Sequence, residues 1–483
     1  MNQTARHMQP KQLNSMLKKS LSVEAVRSTN ITKTANDYNT TRKTVYHYKD
    51  KALNAINNAF STQSHDDKVL YHLPITKDYI KMTIVSLHGI AKVSERDIQS
   101  VIECLFDYSI STGTINGVLN DISLKARAIN SSYTHENCKH SASDECFHQG
   151  KPVLAVSDIP SKFCFLLELE DTLNEDVWTM HLQELKTKGY NPETNTMDGG
   201  TSMVAAYEST YPETMLKYDH FHIIKDFKEA IQCLKKKYDS ATTKAIKAYG
   251  NYNISDMQYR QLRQDMCFYR DLYKTTKTLL DWMQYDVLQL AASMPSIRSE
   301  LFDFIINELQ KIAEDHPQRI TAIITKLRNQ KDKLLAVTNE LNVRFSKVAI
   351  KYKVSLNDVW DICYLSRYSA KQDTYHIQAI DLETRLGEQF DCIEDEVLTC
   401  MKNTYRTSSV IENFYSRLRP YIDPRKGFKS KRYDLILFML NHLRFKRSKH
   451  KEHVGKSAAE LYTQSKLPTW IEMLGLQSFK RAA

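Results

Sequence analysis

Between Lys151 and Phe221 the chain changes texture, and that change limits the fold more than any other feature. PVLAVSDI and KFCFLLELED are short apolar runs rich in β-formers, each closed by acids. NEDVWTMHLQELKTKGY then reads as helix, followed by NTMDGG, TSMVAAYESTY, TMLKYDHF and IIKDFKEAIQCLKKKY. A two-stranded ribbon followed by strand–helix alternation predicts an α/β core, its sheet flanked by helices. Outside this stretch strand signals fade. Gly and Pro number only 12 and 11 in 483 residues, which favours a helix-rich chain. The span from about 252 to 405 reads as a long, all-helical block.

The first 65 residues carry a second pattern. SVEAVRSTNITKTANDYNTTRKTVYHYKDKALNAINN predicts a short helix ending near Tyr38. Asn39 suits a left-handed turn, and Thr40 or Thr41 suits the cap of the next helix. That helix sets Arg42, Lys43, Thr44, His47 and Lys49 beside the core positions Val45 and Tyr48. This is the pattern of a helix-turn-helix whose second helix enters the major groove. An ordinary helical hairpin would carry the same core spacing. Over residues 76–130, Ser94-Glu-Arg-Asp97 opens an apolar-periodic helix and a Ser/Thr-capped helix follows. That unit reads equally as a second DNA-binding module or as packing.

Lys and Arg exceed Asp and Glu by 67 to 57, and the excess is uneven. Arg417 to Lys456 holds 13 Lys/Arg against Asp423, Asp434 and Glu452. Arg425, Lys426, Lys429, Lys431 and Arg432 make this a candidate phosphate-binding surface. Nine scattered Cys and the polar opening MNQTARHMQPKQ fit a reduced, cytoplasmic setting. LILFML (435–440) is too short to span a bilayer, so no membrane role is expected.

Three acids stand out. VLAVSD sets Asp158 near a strand end, NTMDGG sets Asp198 at the end of what reads as a neighbouring strand, and SSVIENFYSRLRP sets Glu412 on a helix. Singly, each has a plain alternative: a turn acid, a helix cap, a surface acid. Together, three carboxylates could hold two Mg²⁺ ions about 3.5–4 Å apart, clamping the attacking and leaving oxygens of a phosphodiester. Hard oxygen ligands suit Mg²⁺.

DECFHQGKPVLAVSD, TMDGGTSMVAAYESTYPETMLKYDHFH and RTSSVIENFYSRLRPYI together resemble the DDE transposases of bacterial insertion sequences. The resemblance implies a ribonuclease H-like core of mixed sheet and helices, split by a helical insertion before the last acid. It implies Asp158, Asp198 and Glu412 as catalytic, metal-holding triad, with two Mg²⁺ ions for which Mn²⁺ substitutes. Asp219-His220-Phe221-His222 resembles the D-x-x-H motif of the mutator-type branch, which brings Asp219 and His222 in as active-site support. Ser416 and Arg419 share the Glu412 helix face, and Arg419 could hold a DNA phosphate. GKSAAEL before Trp470 is similar to the family's C-terminus. The family implies binding of double-stranded DNA, both element ends and target, by a homodimer or higher oligomer in a prokaryotic, nucleoid-associated setting.

The expected domains are a helix-turn-helix domain (1–65), a second helical domain (66–135), the core's first part (136–250), the insertion (251–404), the core's second part with the Glu412 helix (405–450) and a tail (451–483). Two rivals are weighed: a non-catalytic DNA-binding regulator on the same fold, and a metal-dependent, structure-selective nuclease. His135, Cys138, His140, Cys146 and His148 hint at zinc, but Cys-x-His spacing is unlike that of usual zinc sites. Trp282 could stack on an unpaired base, though Trp is more often core.

Overall fold

A computed structural model describes residues 13–60, 73–315, 319–369, 371–406, 409–424 and 431–476. The chain divides into two units, Met1–Pro74 and Ile75–Ala483.

In the first unit, α1 (Ser15–Arg27), α2 (Ile31–Asp37) and α3 (Arg42–Phe60) close around Leu21, Ala25, Ala35 and Val45. The Asn14 and Asn30 side chains accept N–H groups of the first turns of α1 and α2, supplying partners the helices lack. Asn39 takes φ 49° between α2 and α3, a left-handed conformation that Asn tolerates. Thr41 Oγ1 then accepts the Thr44 N–H at 3.2 Å. The turn and cap expected from the sequence both form.

The second unit opens with α4 (Lys77–Gly89), α5 (Glu95–Phe106) and α6 (Thr112–Ser131). Ser94 and Ser111 cap α5 and α6, and Asp107 at φ 47° ends α5. The sheet follows: β1 (His140–His148), β2 (Lys151–Asp158), β3 (Cys164–Leu169), β4 (Thr194–Met197) and β5 (Met215–Tyr218), in the order β3-β2-β1-β4-β5. β1 and β2, like β2 and β3, are antiparallel; β4 runs parallel to β1, and β5 parallel to β4. This is a mixed, ribonuclease H-like sheet. The strand of Asp158 and the strand ending at Asp198 are therefore not neighbours, because β1 runs between them. The sequence reading missed β1. It is joined to β2 through Gln149 (φ 52°) and Gly150 (φ 80°), two left-handed residues as a tight two-residue hairpin requires.

Alternation along β2 divides the core. Leu154 and Val156 face one side with α7 (Glu175–Thr187), α8 (Thr201–Thr210) and α9 (His220–Ala248). After α9 come the helices of the insertion: α10 (Asp256–Trp282), α11 (Pro295–Asp315), α12 (Ile320–Tyr352), α13 (Leu356–Leu365), α14 (Asp373–Leu386) and α15 (Phe390–Lys402). A π-helical turn, Met283–Val287, separates α10 from α11. Buried Arg298 donates to the carbonyls of Val287, Gln289, Leu290 and Ser293, satisfying backbone acceptors that the broken helix leaves open.

The chain returns as α16 (Ser409–Ile422), α17 (Lys431–His442), α18 (Ala458–Thr463) and α19 (Trp470–Met473). Val153, Ala155 and Leu167 of the sheet's other face pack against α16 and α17. Leu435, Phe438 and Met439 of α17 turn away, onto Ile80, Ile102 and Leu119. So α4–α6 bury their shared face on the core, which is the packing role weighed for residues 76–130. Among the described residues no helix is long and apolar enough to cross a membrane.

Candidate metal centre

The hairpin register decides which acids meet. Asp158 lies opposite Ser141, whereas Asp144 lies opposite Ala155. β4 runs parallel to β1 with Ala142 beside Thr196, so Asp198 comes level with Asp144. Asp158 is thus three residues away, roughly 10 Å along the strands. Carboxylate oxygens of Asp144, Glu145 and Asp198 all lie within 4.8 Å of one another.

Local chemistry holds each in place. Asp198 follows β4 directly, and its Oδ1 accepts the Gly200 N–H at 2.9 Å. Gly199 has φ 88°, and a Cβ there would stand 3.1 Å from both Tyr218 Cε2 and Gln330 Nε2. The DGG turn therefore needs glycine for conformation and for space. Behind β1 a buried polar chain fixes the strand: Asn195 donates to Ser143 Oγ at 2.7 Å, Ser143 and Tyr207 hydroxyls meet at 2.6 Å, and Tyr190 donates to Ser141 Oγ at 2.7 Å. These bonds tie β1, β4 and α8 into one register.

The charges strain against one another. Burial, then the Asp198 charge, pushes Asp144 up to about 8, with Glu145 and Glu412 adding smaller repulsions. Burial and Asp198 likewise push Glu145 up to about 7. Glu145 Oε2 is buried with no hydrogen-bond partner. An orphaned carboxylate oxygen among like charges fits a divalent cation, which relieves both desolvation and repulsion. The all-oxygen donor set suits Mg²⁺ or Mn²⁺.

Glu412 sits in the first turn of α16, exposed, outside the three-carboxylate group but close enough to act on Asp144. One turn on, the buried Tyr415 hydroxyl donates to the Asp144 carbonyl at 2.6 Å and reaches the Val153 carbonyl at 3.2 Å. That contact moors the Glu412 helix to the strand bearing Asp144.

The other expected site residues lie elsewhere. Asp158 Oδ2 accepts the Ser161 N–H at 2.8 Å and the Ser161 hydroxyl. It also accepts the Cys138 thiol, so it stitches the β2–β3 turn. Asp219 ends β5 on the same edge as Asp198, and its Oδ1 caps α9 through the Phe221 N–H at 2.8 Å. Half-buried Arg406 faces it. His222 is half-buried in the first turn of α9, its ring edge-on to Phe221. Arg419 is exposed, and its charge reaches Cys146, two residues along β1 from Asp144.

Arg42, Lys43 and His47 are exposed on α3, with Thr44 bound to Thr41. Arg425, Lys426 and Lys429 lie outside the described residues. Lys431 is exposed, but Arg432 is buried. Its guanidinium pairs with Glu95 at 3.1 Å and Asn116 at 2.9 Å, so the interior holds it and no phosphate can. The residues weighed for zinc disperse: His135 packs on Phe165, Cys138 bonds Asp158, and His140 meets Thr194. Trp282 leans on Phe304.

Asp144 and Glu145 escaped the sequence reading because SASDEC lacks β-branched residues. The available signal was the Gln149-Gly150 pair before a strong strand, a hairpin turn that demands a partner upstream.

No protein-family model matches the chain, and no curated protein matches it. Among solved structures, a Drosophila P element transposase strand transfer complex aligns over 81% of this chain and 98% of that chain, at 12% identity and a TM-score of 0.29. At that score the likeness carries no weight. Strand order and carboxylate geometry speak for this chain instead.

Proposed function

We propose that this chain is a DDE-type DNA transposase whose acids are Asp144, Asp198 and Glu412, with Glu145 as an added ligand. The observation that carries the proposal is the convergence of Asp144, Glu145 and Asp198 within 4.8 Å at one end of the parallel β1–β4 pair. Two Mg²⁺ ions, or Mn²⁺ in their place, would supply Lewis-acid activation of water or a 3′-hydroxyl and of the phosphodiester under attack. Asp144 and Asp198 would hold the cations in the middle of the sheet, where the β1–β4 pairing ends. Glu412 approaches from α16, so seating that helix completes the set. Gly199 and Gly200 let the turn pack against Tyr218, Gln330 and Glu145, which keeps Asp198 beside the other carboxylates. Arg419, one helix face along from Glu412, binds a phosphate of the same strand.

The first unit binds the element's ends, with Arg42, Lys43 and His47 toward the major groove. Asp219 serves as a helix cap near the site and not as a ligand. The protein acts as a dimer or higher oligomer, since two ends must be joined to one target, and it works in a prokaryotic cell. In this reading it is an insertion-sequence enzyme with a mutator-type D-x-x-H motif.

The test is a gel assay on DNA carrying the inverted repeats that flank the gene, with Mg²⁺ or Mn²⁺. Asp144→Asn, Asp198→Asn and Glu412→Gln should each abolish cleavage and joining while end binding persists. Losing one ligand should cost about as much as losing all, since they act as a unit. Asp158→Asn should keep metal affinity and lose thermal stability. Normal cutting by Asp144→Asn would overturn the assignment. Cleavage without joining would leave a nuclease.

A further inference from the structure

The insertion reaches the metal centre through one helix. α12 packs along β5, and Lys326, Gln330, Lys333 and Leu334 share its inner face at helical spacing. Leu334 is pinned: its carbonyl meets His220 Nε2 at 2.9 Å, beside the cap of α9. Lys326 is bound to Asp226 at 2.8 Å. Lys333 is bound to Glu208 and stands over the Tyr218 ring. The Asp198 charge is felt at Tyr218, so this face adjoins the carboxylates.

Between these two paired lysines lies Gln330. It is half-buried, and its Nε2 lies 3.1 Å from where a Gly199 Cβ would be. Among the described residues its amide has no hydrogen-bond partner. Gln330 is not among the residues with a buried, unpartnered polar atom, so its amide stays open to solvent and available to a ligand. The cations beside it are already neutralised, so the free donor of this wall is Gln330 Nε2.

We propose that Gln330 is a positioning residue that donates a hydrogen bond from Nε2 to a phosphate oxygen of the DNA strand passing the Asp198-Gly199-Gly200 turn. The insertion then takes part in aligning the scissile strand as well as bracing the core. This rests on the DNA-cleaving function proposed above.

The experiment uses the full chain and, as probe, a supercoiled plasmid carrying the inverted repeats that flank the gene, with nicking followed in Mn²⁺. Duplex affinity is read by fluorescence anisotropy in Ca²⁺, and Mn²⁺ affinity by calorimetry. Gln330→Ala should nick roughly tenfold more slowly, the size of one lost hydrogen bond to a charged group. Gln330→Glu should be slower still and bind duplex more weakly, because a carboxylate repels phosphate. Melting temperature and Mn²⁺ affinity should match wild type in both. Wild-type nicking by Gln330→Ala would overturn the inference. So would equal behaviour of the Ala and Glu variants, or loss of nicking that only follows loss of Mn²⁺ affinity. Asp144→Asn is the control: if it nicks normally, or wild type never nicks, the underlying function fails instead.

Discussion

Without a cation, Asp144 and Glu145 keep their protons toward the neutral range, near 8 and 7. Both lie above the ordinary carboxylate values. A folded-state acid raised in this way contributes stability that is full below its unfolded pKa and is lost as pH rises through the folded one. A bound cation reverses the trend, because it replaces the protons and takes the charge. The rise in melting temperature on adding Mn²⁺ should therefore be larger at pH 8 than at pH 6, and Asp144→Asn should remove most of the difference. Differential scanning fluorimetry across that pH range checks this, and a pH-independent shift would sink it. The same residue shows what a single sequence hides. The proposed ligands Asp198 and Glu412 stand out in the sequence, one by the glycines after it and the other by its helix. The proposed placing of Asp144 in the site instead of Asp158 rests on a hairpin register that no run of residues spells out. Asp158 had the stronger strand around it, yet its carboxylate is taken by Ser161.

Among elements, α16 matters through how it is held. Its inner face, Ile411, Phe414, Tyr415 and Leu418, is buried against β1 and β2, while Glu412, Asn413, Ser416 and Arg419 form the exposed stripe. That amphipathic division was readable in the sequence. What it packs on was not, because β1 precedes it by more than 260 residues and tertiary contacts of that range leave no local trace. Tyr415 ties the helix to the Asp144 backbone through its hydroxyl. Tyr415→Phe leaves two carbonyls buried with a donor removed, which costs about 1–3 kcal/mol. It should lower the melting temperature, and it should slow cleavage further by loosening Glu412, while Mn²⁺ binding by Asp144, Glu145 and Asp198 largely persists. Unaltered cleavage in a destabilised Tyr415→Phe protein would show that the helix is seated by its apolar face alone. The helix caps, by contrast, were local and legible: Asn39 with Thr41, and Ser94, sit where the turn chemistry put them.

At the scale of the whole molecule, the formal charge of +10 is concentrated between Arg417 and Lys456. Counting charges there overstates what can face DNA. Arg417 donates to the Leu440 carbonyl and lies over Phe445, Arg432 is paired with Glu95, and Arg444 with Glu460. Arg419, Lys431, Lys446, Arg447, Lys449, Lys451 and Lys456 are exposed. Composition finds a basic segment, but only packing separates cations that hold the fold from cations that can hold phosphate. The two kinds should part in a salt titration. Each phosphate contact contributes about 0.9 to the slope of log affinity against log salt. Neutralising Lys446, Arg447, Lys449 and Lys451 together should flatten that slope by up to about 3.6, with equal weakening for every DNA sequence and little change in melting temperature. Arg432→Ala should do the opposite. It breaks a largely buried pair and leaves Glu95 without its partner, so the melting temperature should fall while the salt slope of the folded protein stays put. If the fourfold variant keeps the wild-type slope, the exposed cations are a solvated face and hold no phosphate.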